Sequence, residues 1–170
     1  MRSTITPSRY KDQPAITLES ETIVAQFLPD VGAKLCSLIY KPANLELLLQ
    51  RPNETYRLAP YDGDYVAQGE CSGFDEMFPS IDRSFYEGYP WRGTPIPDHG
   101  EVWSLPWTCA TVQKDPISVE GRVSACLHSR VILSPAALST SPMPCNLRWS
   151  VAACRSACPP RFGPCHCATG

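Results

Sequence analysis

Between Ile16 and Leu49 short apolar runs follow one another with turn residues between them, a spacing that leaves room for strands but not for long helices. In AITLES and ETIVAQFL the apolar positions nearly alternate, at Ile16 and Leu18 and then at Ile23, Ala25 and Phe27. Pro29-Asp30-Val31-Gly32 supplies a turn in which Asp and Gly permit a tight reversal. KLCSLIYK then puts Leu35, Ser37 and Ile39 on one face and Cys36, Leu38 and Tyr40 on the other, the pattern of an inner strand covered on both sides. A second turn, Lys41-Pro42-Ala43-Asn44, precedes LELLLQ, which opens the following strand. With 18 prolines in 170 residues, long helices are disfavoured throughout. The expected fold class is therefore all-β.

Arg51 to Pro97 reads mostly as loop, and a loop that long inside a compact domain usually builds a site or a lid. Strand character returns at Glu101–Trp103, Trp107–Val112 and Ile117–Glu120. The length suits a single domain. A formal charge of −2 provides no field that would gather nucleic acid or anionic lipid. The N-terminus has no apolar stretch of signal-peptide or membrane-span length, so the expected location is cytoplasmic. Walker and dinucleotide motifs are missing, and no cofactor is expected.

Composition changes abruptly near residue 122. All 17 acidic residues and 10 of the 15 lysines and arginines precede that point, whereas the rest of the chain carries five arginines, no Lys and six of the nine cysteines. Only Ser129 to Ser134 resembles a strand there. Three explanations compete. Cys154, Cys158, Cys165 and Cys167 would form a zinc module, although Cys-x-Cys is tight for one metal. A disulfide framework would need an oxidising compartment. Translation of GC-rich DNA outside the ancestral frame would give the same bias to Arg, Ser, Pro, Ala and Cys. The last is our expectation, with 1–121 as a partial β-sandwich domain and 122–170 as an anomalous, irregular tail. No metal site is expected.

FLPDVGAKLCSLIYKPANLELLLQ is similar to the opening of aldose 1-epimerase (galactose mutarotase-like) proteins. More specific is GECSGFDEMFPSI followed by PIPDHGEVWSLPW, where Gly73, Phe78, Pro79, His99, Gly100, Trp103 and Trp107 stand as the family pattern asks. The resemblance covers residues from about 15 to 121 and implies an incomplete galactose mutarotase-like β-sandwich (supersandwich) with long loops. It also implies a hexose or related aldose as partner and interconversion of its α and β anomers by acid/base ring opening. His99 takes the acid or substrate-contacting role, for which an imidazole titrating near neutrality is suited. Gly100 would let the backbone pass close to the sugar, and Trp103 or Trp107, with Trp91 a further choice, would present an aromatic face to it. Asp75, Glu76 and Asp98 would accept hydrogen bonds from sugar hydroxyls, and Phe78 completes the substrate-binding set.

Blander readings stand beside these. His99 would serve as a turn residue bonded to local backbone, Trp103 and Trp107 as core anchors, and Asp75-Glu76 as a solvated loop pair. Arg51, Arg57, Arg83 and Arg92 are candidates for an anionic group on the sugar or for plain surface solvation. The family's base is a glutamate from the C-terminal part of the domain, and no Glu follows Glu120. The expected protein is thus an aldose 1-epimerase-like isomerase with doubtful turnover, the alternatives being a noncatalytic carbohydrate-binding fragment and a cysteine-rich metal or structural protein. Sheet edges and core surface left uncovered would favour aggregation.

Overall fold

The computed structural model describes residues 4–69, 72–89, 91–112, 118–124 and 144–150. An antiparallel meander forms the body of the protein: β1 (Thr4–Tyr10), β2 (Gln13–Glu19), β3 (Ile23–Leu28), β4 (Lys34–Tyr40) and the short β5 (Leu45–Glu46), each paired with the next. The alternation read from the sequence is what the sheet uses. Leu18, Ala25 and Phe27 form one buried cluster with Ile5, Ile16, Leu35 and Leu38 packed against it, while Ala15, Leu28, Val31, Cys36 and Tyr56 form another. Ala15 and Ile16 have opposite parity on β2, so the two clusters lie on opposite faces.

The face assignment for β4 needs one correction. Gln26 pairs with Ser37 but Phe27 pairs with Leu35, so Cys36 is an extra residue in a bulge. Alternation is interrupted there. Leu35 joins Leu38 in one cluster and Cys36 turns to the other, where its Sγ donates to Gln26 O at 3.3 Å. Burial pushes the Cys36 thiol up to about 12, so it is a packed thiol and not a reactive one.

Turn chemistry accounts for the connections. Ser20 closes the β2–β3 link by accepting from the backbone N–H groups of Thr22 and Ile23 at 3.3 and 3.1 Å. The Lys41-Pro42-Ala43-Asn44 turn is a 3-10 helix, Lys41–Ala43, ended by Asn44 in the left-handed region. Beyond β5 the chain continues beside β4, with Leu47 N donating to Leu38 O at 2.9 Å. Leu45, Leu47 and Leu49 are all exposed along this stretch.

Glu46 is fixed at the same edge. Burial opposes its ionisation, but donation from Ser37 Oγ and from the N–H groups of Leu38, Leu48 and Leu47 outweighs burial and lowers its pKa. A depressed folded pKa contributes stability above the unfolded value, about 4.3, and loses it as pH falls through the folded value. Glu46→Gln is therefore expected to be less stable than wild type at pH 7. Urea midpoints of the two should converge as pH falls through the folded value of the Glu46 carboxyl.

A second, three-stranded sheet has the order β10 (Pro144–Ser150), β9 (Ser118–Ser124), β8 (Thr108–Val112). It meets the first through Trp107, whose N–H donates to Pro29 O at 2.9 Å, and through Cys109, which packs against the Leu18 cluster. β9 runs across the change in composition at residue 122, and β10 lies within the arginine-only stretch. The candidate strand 129–134 and the cysteines at 154, 158, 165 and 167 lie outside the described residues.

The stretch from 51 to 97 holds a four-residue helix, α1 (Tyr65–Gln68), and a small hairpin, β6 (Ser84–Phe85) with β7 (Pro95–Ile96). Glu101–Trp103 is not a strand. Val102–Ser104 is a 3-10 helix, since Val102 and Trp103 are buried from the side and Leu105 N closes on Val102 O at 3.4 Å. Among the described residues no helix is long and apolar enough to cross a membrane.

Candidate functional site

His99 sits where three local features force the chain to turn. Its backbone lies at φ 59, Gly100 follows at φ 79, and the His99 N–H donates to Ile81 O across the base of the β6–β7 hairpin. Two consecutive left-handed residues are costly unless one is glycine. A Cβ on Gly100 would lie 2.3 Å from Phe78 O, so glycine is required by close approach as well as by φ. Glu101 N then donates to the same Phe78 O at 2.8 Å, which ties the His-Gly turn to the Phe78-Pro79 segment. The Gly-rich and His-Gly motifs thus meet in space.

The imidazole is held from several sides. Tyr65 stacks on it with ring centroids 3.8 Å apart and planes 11° from parallel. Trp103 meets Tyr65 edge-on at 5.1 Å, and its Nε1 donates to Asp98 O at 3.1 Å. Nδ1 of His99 is buried and lies 3.1 Å from Asp98 Oδ2, off the line a hydrogen bond needs. About a quarter of the His99 side chain remains exposed.

Beneath this layer lies a buried ion pair. Lys34 Nζ donates to Asp75 Oδ2 at 2.7 Å and to Ser72 O at 3.0 Å, and both charged side chains are under 5 % exposed. Tyr65 donates its phenolic O–H to the same Asp75 oxygen at 2.9 Å. A continuous chain of contacts therefore runs from Lys34 through Asp75 and Tyr65 to His99.

Of the residues singled out from the sequence, Asp75, Phe78, Asp98, His99, Gly100 and Trp103 come together in this assembly. Phe78 is exposed, Glu76 is half-buried, and Asp75 directs its Oδ2 to Lys34 and Tyr65. Trp107 is buried, packs with Ala33 and Val102 and donates its Nε1–H to Val102 O at 3.0 Å. Trp91 is half-buried near the hairpin tip, where Thr94 N donates to its carbonyl at 2.8 Å. Among the four arginines, Arg83 pairs with Asp62 at 3.2 Å and Arg51 approaches Glu54 at 3.9 Å, while Arg57 and Arg92 are exposed.

Lys34 and Tyr65 were not singled out. A lysine flanked by Ala33 and Leu35 at the start of a strand whose neighbours are buried is a signal for a buried partner. Tyr65 had a local cue as well, since Asp64 caps α1 by accepting from Ala67 N at 2.8 Å and sets the first turn at Tyr65.

No family model and no curated protein matches the chain in sequence. Among solved structures it is similar to YeaD of Salmonella typhimurium, described as a candidate mutarotase, with a TM-score of 0.57 and 18% identity over 87% of this chain. A second solved structure, HI1317, aligns over 72% of this chain and 41% of its own, at 16% identity and a TM-score of 0.44. The chain spans 43% of the length of YeaD. The fold is accordingly all-β and galactose mutarotase-like, and this chain represents part of it.

Proposed function

We propose that the His99 assembly binds an aldose and that the protein belongs to an aldose 1-epimerase-like isomerase lineage. The observation that carries this reading is the partly exposed imidazole of His99, clamped on Tyr65 beside Asp98 within a mutarotase-like fold. Interconverting anomers requires removal of the proton from the anomeric hydroxyl and protonation of the ring oxygen, after which the opened aldehyde turns and the steps reverse. With Nδ1 buried against Asp98, Nε2 is the nitrogen assigned to the substrate. When protonated, the imidazole would donate from Nε2 to the ring oxygen. Exposed Phe78 offers an apolar surface to the C–H face of the pyranose, and Glu76 and Asp98 accept its hydroxyls. A cytoplasmic location belongs to this reading, in keeping with the free thiols of Cys36 and Cys109.

Polarimetry tests it. The protein should accelerate the loss of optical rotation of α-glucose or α-galactose, and His99→Ala should reduce that acceleration by about 100-fold, the lower range for one acid/base group. Unchanged acceleration in the variant removes His99 from the mechanism.

One observation favours a noncatalytic alternative. Within these 170 residues no acidic residue follows Glu120, whereas the resemblance draws the base from a later part of the domain, so these residues by themselves offer the sugar contact without that base. On that reading a sugar changes the tryptophan fluorescence through Trp103 without any acceleration of mutarotation.

A further inference from the structure

We propose that Tyr65 is a positioning residue for His99, and that the buried Lys34–Asp75 pair acts through it by fixing the plane of the imidazole. The inference rests on His99 being the substrate-facing group, and it gives Asp75 a different task from contact with a sugar hydroxyl. The geometry is specific. Asp75 Oδ2 receives both Lys34 Nζ at 2.7 Å and Tyr65 Oη–H at 2.9 Å, so one oxygen anchors the phenol to a cation that water does not reach. One face of that phenol ring lies against His99, 3.8 Å between centroids and within 11° of parallel. Trp103 abuts Tyr65 edge-on and leaves the ring little freedom to tilt.

The hydroxyl finds its hydrogen-bond partner in the buried ion pair. Tying it there makes the stack a reference surface. The hydrogen bond restrains the ring in its own plane, and the parallel contact passes that restraint to the imidazole, whose backbone is already pinned at Ile81. Proton transfer depends steeply on such alignment, and a misplacement of about 1 Å costs on the order of 100-fold in rate.

The test uses the full chain and two independent readouts. Tyr65→Phe keeps the ring and loses the anchor, Tyr65→Leu loses the stack, and Asp75→Asn weakens the anchor from the other side. In proton NMR, the Tyr65 ring current should shift the His99 ring protons, assigned by their disappearance in His99→Gln, to high field. We expect that shift to vanish in Tyr65→Leu and to shrink in Tyr65→Phe and Asp75→Asn. In mutarotation kinetics, Tyr65→Phe should lower kcat about 10-fold with KM nearly unchanged, and Tyr65→Leu should lower it further. Wild-type His99 shifts in Tyr65→Phe and Asp75→Asn would overturn the proposal, as would a wild-type kcat in both. If wild type itself shows no acceleration, the enzymatic reading fails, and the ring-current shifts alone decide whether the pair holds the imidazole.

Discussion

Lys34→Met is expected to lower the unfolding free energy by about 3–5 kcal/mol, the usual cost of removing one partner from a buried ion pair. Lys34 Nζ neutralises Asp75 and satisfies Ser72 O where both side chains are almost wholly enclosed. Without it the carboxylate stays in a poorly hydrated site with the Tyr65 hydroxyl still donating to it, and the Ser72 carbonyl loses an ammonium donor. Replacing both members should be milder. Lys34→Met combined with Asp75→Leu leaves no charge behind, and double replacements of this kind are often near neutral. Urea unfolding monitored by tryptophan fluorescence measures both variants, with an unchanged m-value showing that the unfolded states are comparable. A single variant within about 1 kcal/mol of wild type would mean that water reaches the pair and screens it.

Gly32→Ala is the second large effect, and it strikes stability and the site together. Gly32 lies at φ +63, and a Cβ there would stand 2.1 Å from the carbonyl oxygen of Trp103, a contact with backbone that no rotamer can relieve. The left-handed conformation costs an alanine about 1–2 kcal/mol and forced displacement of packed backbone about 1–3 kcal/mol, giving an expected loss of about 2–5 kcal/mol. The segment that must yield is the 3-10 helix Val102–Ser104, which carries Trp103 and, through its Nε1, the Asp98 carbonyl. Sugar-induced fluorescence should therefore weaken in parallel with the melting temperature. A variant that melts early but retains the full ligand response would separate this turn from the site.

The reach of the sequence can be followed residue by residue. Alternation at Ile16, Leu18, Ala25 and Phe27 was legible because one face of a sheet writes itself into the chain at period two. β1 was not legible: Thr4–Tyr10 is mostly exposed or half-buried and contains Pro7, which a strand tolerates only at an edge. Glu101–Trp103 has strand composition, yet the buried Val102 side chain, its carbonyl accepting from Trp107 Nε1, and the Gly100 turn impose a 3-10 helix. Cys36 followed the alternation rule until a bulge, invisible in the residue types, moved it across the sheet. At the candidate site, the grouping of His99, Gly100, Asp98 and Phe78 was legible because their motifs are local. Lys34 and Asp75 stand 41 positions apart, and nothing in either neighbourhood announces the other. The Tyr65–His99 stack is equally a product of tertiary closure.

The hydrogen bond from His99 N to Ile81 O has a consequence for how this region tolerates variation. Everything between those two residues leaves and returns through one stapled neck, so insertions or deletions at the outer end of the excursion, around the almost fully exposed Tyr89, need not disturb the imidazole. Lengthening or shortening that arm is therefore expected to change whatever it meets while leaving the ring at its root in place.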